Sequence, residues 1–176
     1  TGLSLVIGIA VIRALQKLEI QKLSIKWPND IFQDGNKLGG ILVESTQQNN
    51  KTVLIVGVGI NITDDKTKRK LKNAYSCLNN SKPSTLSNEQ VIAEILNEIQ
   101  NVMTEYETFG LTHFINAWKS YDHYLGKTIT VSTSQQEITG INEGINEAGE
   151  LLLKADTGEL ICIHSGKIQS QNIETA

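Results

Sequence analysis

Proline at position 28 constrains this chain more than any other single residue. It sits in "IKWPNDIFQDGNKLGGILVE", Ile25 to Glu44, between two segments of strand-like alternation. Proline has no N–H to give a ladder and keeps the residue before it extended, so a strand running into Trp27 must stop there. The side chains of Asn29 and Asp30 can close the turn that follows. In "KLSIKW" Leu23, Ile25 and Trp27 point to one face and Ser24 and Lys26 to the other. Beyond the corner, Asp34-Gly35 separates two strand-like runs and predicts a tight hairpin, with "GGILVES" as the returning strand.

The surrounding pattern is α/β up to about Leu125. From Leu3 to Leu18 the apolar residues follow helical spacing and surround most of the cylinder, as in a helix packed on a sheet. "TVLIVGVGINI", Thr52 to Ile62, is apolar with almost no alternation, which predicts a central strand covered on both faces. Thr63 to Asn88 is polar and is expected to form a lid or an ordered surface loop. Ser87 and Gln90 form a capping-box pattern that opens a helix through Tyr106, stopped by Gly110. A second amphipathic helix is expected from about Leu111 to Tyr124. After Gly126 come short alternating strands joined by Gly- and Asn-containing turns, the composition of a small antiparallel barrel. A boundary between residues 1–125 and 126–176 follows.

Composition removes several functional classes. A formal net charge of −3 and a pI near 5.6 leave no basic footprint for nucleic acid or a membrane surface. The apolar opening segment is broken by Arg13, is too short to span a bilayer and lacks a cleavage site, so it reads as a buried helix. The start at Thr1, with a helix almost at once, suggests a piece of a longer protein. Cys77 and Cys162 fit no metal spacing and no disulfide framework, as expected of free thiols in the cytoplasm. No nucleophile elbow, P-loop, CxxC or HExxH occurs. His113, His123 and His164 are isolated in sequence, and Asp64-Asp65 beside Lys66 is more often a solvated loop than a metal pair. No metal ligand is assigned.

The remaining candidates cluster around the corner. Lys26, on a strand and followed at once by Trp27-Pro28, is a positioned cation; on composition alone, a solvent-facing strand lysine outweighs that reading by about two to one. Gly57 and Gly59 share one face of a strand, where glycine marks close approach of a ligand or another backbone; packing against the first helix is the alternative. Gly39 and Gly40 would admit a ligand or mark a bulge after the hairpin. Asn61 could bind a polar ligand group or close the next turn. "GVGINI" lacks a third glycine and a following helix, which argues against a dinucleotide fingerprint.

Taken together and in this order, "KWPND", "KLGGILVE" and "VGVGINIT" resemble the biotin protein ligases, also called biotin–[acetyl-CoA-carboxylase] ligases. "GLSLVIGIAV" and the tail carrying "EGINEAGELLL" and "SGKI" extend the resemblance over nearly the whole chain. It implies an α+β fold: a mixed sheet flanked by helices, of the class II aminoacyl-tRNA synthetase and biotin ligase type and incomplete at its N-terminus, followed by an SH3-like barrel. It implies ATP-dependent ligation of biotin to a lysine of a biotin-carrier protein through biotinyl-5′-AMP. ATP, Mg2+ and biotin would be substrates, with no tightly bound prosthetic group, no nucleic acid and no membrane; a homodimer stays open. Lys26 matches the motif lysine at the biotin carboxylate and the adenylate. Ile31 matches an apolar position beside the biotin ring, Gly57 and Gly59 strand glycines lining the pocket, and Asn61 a position near adenine. The family's GRGRxG loop and its optional helix-turn-helix are absent from these residues. Two alternatives remain: a lipoate or octanoate ligase-like enzyme, and a non-catalytic biotin-binding or dimerisation module.

Overall fold

A computed structural model describes residues 2–63, 75–83 and 85–169. The opening segment forms helix α1, Leu3–Lys17, with eleven of its residues buried, as its all-round apolar pattern requires. Lys17 in its last turn reaches Glu94, at 3.1 Å, and Glu98 on the next long helix. That helix, α2, spans Asn88–Phe109 and starts with both bonds of the Ser87–Gln90 capping box. Gly110, at φ 69°, ends it. Leu111–Phe114 is a 3-10 turn, and α3, Ile115–Tyr121, completes the second amphipathic segment.

Four strands form the first sheet in the order of the chain: β1 Leu23–Lys26, β2 Asp30–Gln33, β3 Asn36–Gln48 and β4 Lys51–Ile60. All three ladders are antiparallel, and among the described residues parallel register is confined to two isolated bridges, Ile25 with Asp122 and Lys37 with Tyr75. The Asp34-Gly35 and Asn49-Asn50 turns both have two consecutive positive φ angles, the geometry that matches strand twist in a two-residue hairpin.

Register sorts the residues into rows. Ile25, Ile31, Gly39 and Ile60 lie across the four strands in one row; Lys26, Asp30, Gly40 and Gly59 lie in the next. Adjacent rows face opposite sides of a sheet. The isoleucine row faces α1, where Gly8 lets the helix approach until a Cβ there would sit 3.2 Å from Ile25. A bulge leaves Leu38 as the extra residue on β3 and fixes which of the two neighbouring glycines faces which way.

Two expectations need correction. Among the described residues β4 is the last strand of its sheet rather than a central one, and Leu54 and Ile55, on opposite faces of it, are about half exposed. Its apolar pattern calls for cover that the described residues do not supply. Residues 75–83 are also no surface lid: Leu78 and Cys77 are buried, and Ser76 N–H donates to the Lys37 carbonyl. Asp64, Asp65 and Lys66 lie outside the described residues.

The C-terminal strands β5 Thr128–Ser132, β6 Glu137–Ile145, β7 Leu151–Lys154, β8 Leu160–Ile163 and β9 Lys167–Ile168 make a second antiparallel sheet ordered β8-β7-β6-β5-β9. This agrees with a small barrel, although no ladder joins β8 to β9 among the described residues. One apolar core runs through both parts, from Ile7 and Trp27 to Trp118, Val131 and Leu153. Among the described residues no helix is long and apolar enough to cross a membrane.

Candidate functional site

Every residue of the corner has a mechanical task. The Trp27 indole N–H donates to the Gly149 carbonyl at 3.2 Å, tying the corner to the second sheet. Ser4 at the start of α1 donates to the Pro28 carbonyl. The Asn29 carboxamide donates to the Ile41 carbonyl at 2.8 Å while Ile41 N–H returns a bond to the Asn29 carbonyl, clamping the turn onto β3. Asp30 stands across the ladder from Lys26, yet its carboxylate is paired with Lys37.

The consequence is an unpaired cation. The Lys26 ammonium makes no hydrogen bond or ion pair among the described residues, although the residue is half-buried. Burial pushes its ammonium below the usual lysine range; Asp30 opposes this, while Lys167 from the second sheet and Lys37 add to it. Lys37 and Lys167, one from each sheet, thus add positive potential at Lys26, which favours an incoming anion.

The glycines of β3 and β4 separate into two kinds. A Cβ on Gly57 would meet nothing closer than 3.8 Å and one on Gly59 nothing closer than 3.9 Å, so neither is required by packing against α1, which lies on the other face. They leave open floor. A Cβ on Gly40 would lie 3.4 Å from the Asp30 carboxylate and 3.8 Å from the Lys37 ammonium, beneath that ion pair. Gly39 differs: its Cβ would fall 2.2 Å from the Gly59 carbonyl oxygen. Gly39 therefore serves the approach of β3 to β4 and does not line the open face.

Two further candidates are corrected on the same grounds. Ile31 is fully buried in the row facing α1, the side opposite Lys26. Asn61 uses its amide to hold the carbonyls of Lys37 and Ser76 at 3.3 and 3.2 Å, and its own backbone carbonyl accepts Leu78 N–H. It closes the return of the chain to the sheet and steadies Lys37.

Sequence reading missed Asp30, Lys37, Phe32, His123 and Tyr124. His123, isolated in the sequence, lies against β1: its N–H donates to the Ile25 carbonyl, its Nδ1 is 3.0 Å from the Ser24 hydroxyl, and its ring is 4.9 Å from Phe32. No spacing rule links residues about a hundred positions apart. His113 and His164 pair with Glu105 and Glu150 elsewhere. Among the described residues no three His, Cys, Asp or Glu side chains gather to hold a metal.

Two clefts of about 500 and 470 Å³ lie away from Lys26. The first, lined by Leu3, Pro28, Ile41 and Tyr106 among others, and the second, between β4 and α2, contain no charged side chain.

Comparison with known proteins places the chain beside one family. Residues 1–61 match the Biotin/lipoate A/B protein ligase family and residues 124–169 the Biotin protein ligase C terminal domain, together more than half of the chain. The bifunctional ligase/repressor BirA of Escherichia coli is 31% identical over 156 residues, 88% of this chain and 49% of BirA. The biotin–[acetyl-CoA-carboxylase] ligase of Paracoccus denitrificans is 27% identical over 80% of this chain and 60% of its own length. Among solved structures, the biotin protein ligase of Aquifex aeolicus in complex with biotin and ATP superposes with a TM-score of 0.81 at 28% identity, over 96% of this chain and 70% of that one. The chain spans about half the length of the first curated relatives it matches.

Proposed function

The chain belongs to the biotin protein ligase family, and from that premise we propose that the full-length protein carrying it joins biotin to a lysine of a biotin-carrier protein through biotinyl-5′-AMP. The observation that carries this reading is Lys26: an ammonium on the same face of the sheet as Gly40, Gly57 and Gly59, with no counter-ion of its own among the described residues.

The chemistry needs such a group. Forming the adenylate brings a carboxylate oxygen onto the α-phosphorus of ATP, with pyrophosphate leaving. Two anions about 4 Å apart repel by roughly 4 kcal/mol at an intermediate effective dielectric. A fixed cation between them offsets this and stabilises charge developing in the transition state. Lys26 takes that role, Lys37 and Lys167 add positive potential, and Gly40, Gly57 and Gly59 leave room for the ligand. Ile31, Gly39 and Asn61 support the site without lining it. The described residues offer no cage for Mg2+, whose place is on the triphosphate it accompanies. In the second step the carrier lysine attacks the activated acyl carbon and AMP leaves.

On this reading residues 1–125 belong to the catalytic part and 126–176 form the C-terminal domain. Two free cysteines, Cys77 and Cys162, support a cytoplasmic setting. The outer edge of β4 offers a surface for a second copy, which light scattering would test.

The test is to incubate the full-length protein with biotin, ATP, Mg2+ and a biotin-carrier domain, with lipoate as competitor, and to analyse products by mass spectrometry. Biotinyl-AMP and a biotinylated carrier are expected. A lipoylated carrier would select the lipoate ligase alternative, and bound biotin without adenylate the non-catalytic one.

A further inference from the structure

The segment joining α3 to the second sheet is laid along β1. Ile25 and Asp122 form a parallel bridge, and His123 N–H donates to the Ile25 carbonyl at 2.8 Å. The Asp122 carboxylate accepts from Tyr124 N–H and from the Asn142 carboxamide of β6, which in turn accepts from Gly144 N–H, so the segment is fixed at both ends. His123 is wedged between Phe32, 4.9 Å away, and Tyr124, 4.6 Å away edge-on. The Lys26 ammonium lies over both flanking rings, 5.8 Å from the Phe32 centroid and 5.9 Å from that of Tyr124. Lys127 also lies over Tyr124, at 5.6 Å, and donates to the His123 carbonyl.

We propose that Phe32 and Tyr124, wedged apart by His123, are positioning residues that hold the Lys26 ammonium on their ring faces in place of a counter-ion. A carboxylate partner would fix the lysine equally well but would cancel its charge. Ring quadrupoles attract a cation without neutralising it, so the charge stays in place and available to an anionic ligand. Because Tyr124 lies on the segment leading into β5, the second sheet sets the position of Lys26 through it. Phe32 and Tyr124 are not catalytic residues; they act through Lys26.

The experiment compares the full-length protein with Phe32→Leu, Tyr124→Leu, Tyr124→Phe and Lys127→Gln variants, each checked by its melting transition. In the ligand-free protein, the Lys26 Hε protons, assigned through their loss in Lys26→Arg, should resonate upfield of those of exposed lysines. Each leucine variant should move them downfield, while Tyr124→Phe and Lys127→Gln leave them in place. In pyrophosphate exchange, an arm that rests on the ligase reading, each leucine variant should lose about tenfold in kcat, with Tyr124→Phe near the parent. Lys26 resonances at exposed-lysine positions in the parent would overturn the proposal, as would a Tyr124→Phe variant as impaired as Tyr124→Leu. Shielded Lys26 protons in a parent without exchange activity would uphold the ring contacts and sink the ligase reading instead.

Discussion

Two adjacent rows of one sheet divide structure from chemistry. Ile25, Ile31, Gly39 and Ile60 face α1, where the space between strand and helix is filled. Lys26, Asp30, Gly40 and Gly59, one residue along each strand, face the other way and leave a cation, an ion pair and open backbone. A shift of one residue changes what a side chain is for. The packed row should therefore answer to stability and the open row to ligand, and substitutions in each should break one without the other.

The largest effect is expected in the packed row. Ile31→Ala removes a fully buried side chain and should lower unfolding free energy by about 2–5 kcal/mol in chemical denaturation. A loss below about 1 kcal/mol would mean the row is not packed as described. Gly39→Ala drives a methyl into the Gly59 carbonyl, which is backbone and cannot yield cheaply, at a cost of about 1–3 kcal/mol.

A smaller effect concerns the joint that carries Tyr124. Burial raises the Asp122 carboxyl from 3.8 to about 6. The folded state then holds a proton that the unfolded chain has lost, so this group's contribution to stability falls as pH rises from about 4 to about 6. Unfolding midpoints of the parent relative to Asp122→Asn should decline across that window, and a constant difference would contradict the assignment. The smallest stability effect belongs to the open face: Gly57→Ala, with only ordinary contacts at 3.8 Å, should stay within about 0.5 kcal/mol of the parent. Calorimetry with biotin should nevertheless show weakened binding.

Much of this was legible in the sequence. The capping box of α2, the all-round apolar α1, the Asp34-Gly35 turn and the burial of Trp27 beside a less buried Lys26 follow from local periodicity and turn chemistry. Gly39 and Gly40 were not separable, because the Leu38 bulge that assigns them to opposite faces leaves no compositional trace. β4 read as a central strand because its residues suit burial on both sides, which is a statement about preference and not about neighbours. The wall around Lys26 escaped for a different reason: His123 and Tyr124 reach it only through tertiary folding.

The division itself rests on Lys26. Pyrophosphate exchange dependent on biotin and ATP, measured in the full-length protein with Lys26→Gln beside its unfolding midpoint, tests it most directly. Exchange should fall by about a hundredfold or more with the midpoint unchanged; full exchange in that variant, or activity lost only because the fold is lost, would remove Lys26 from the chemistry.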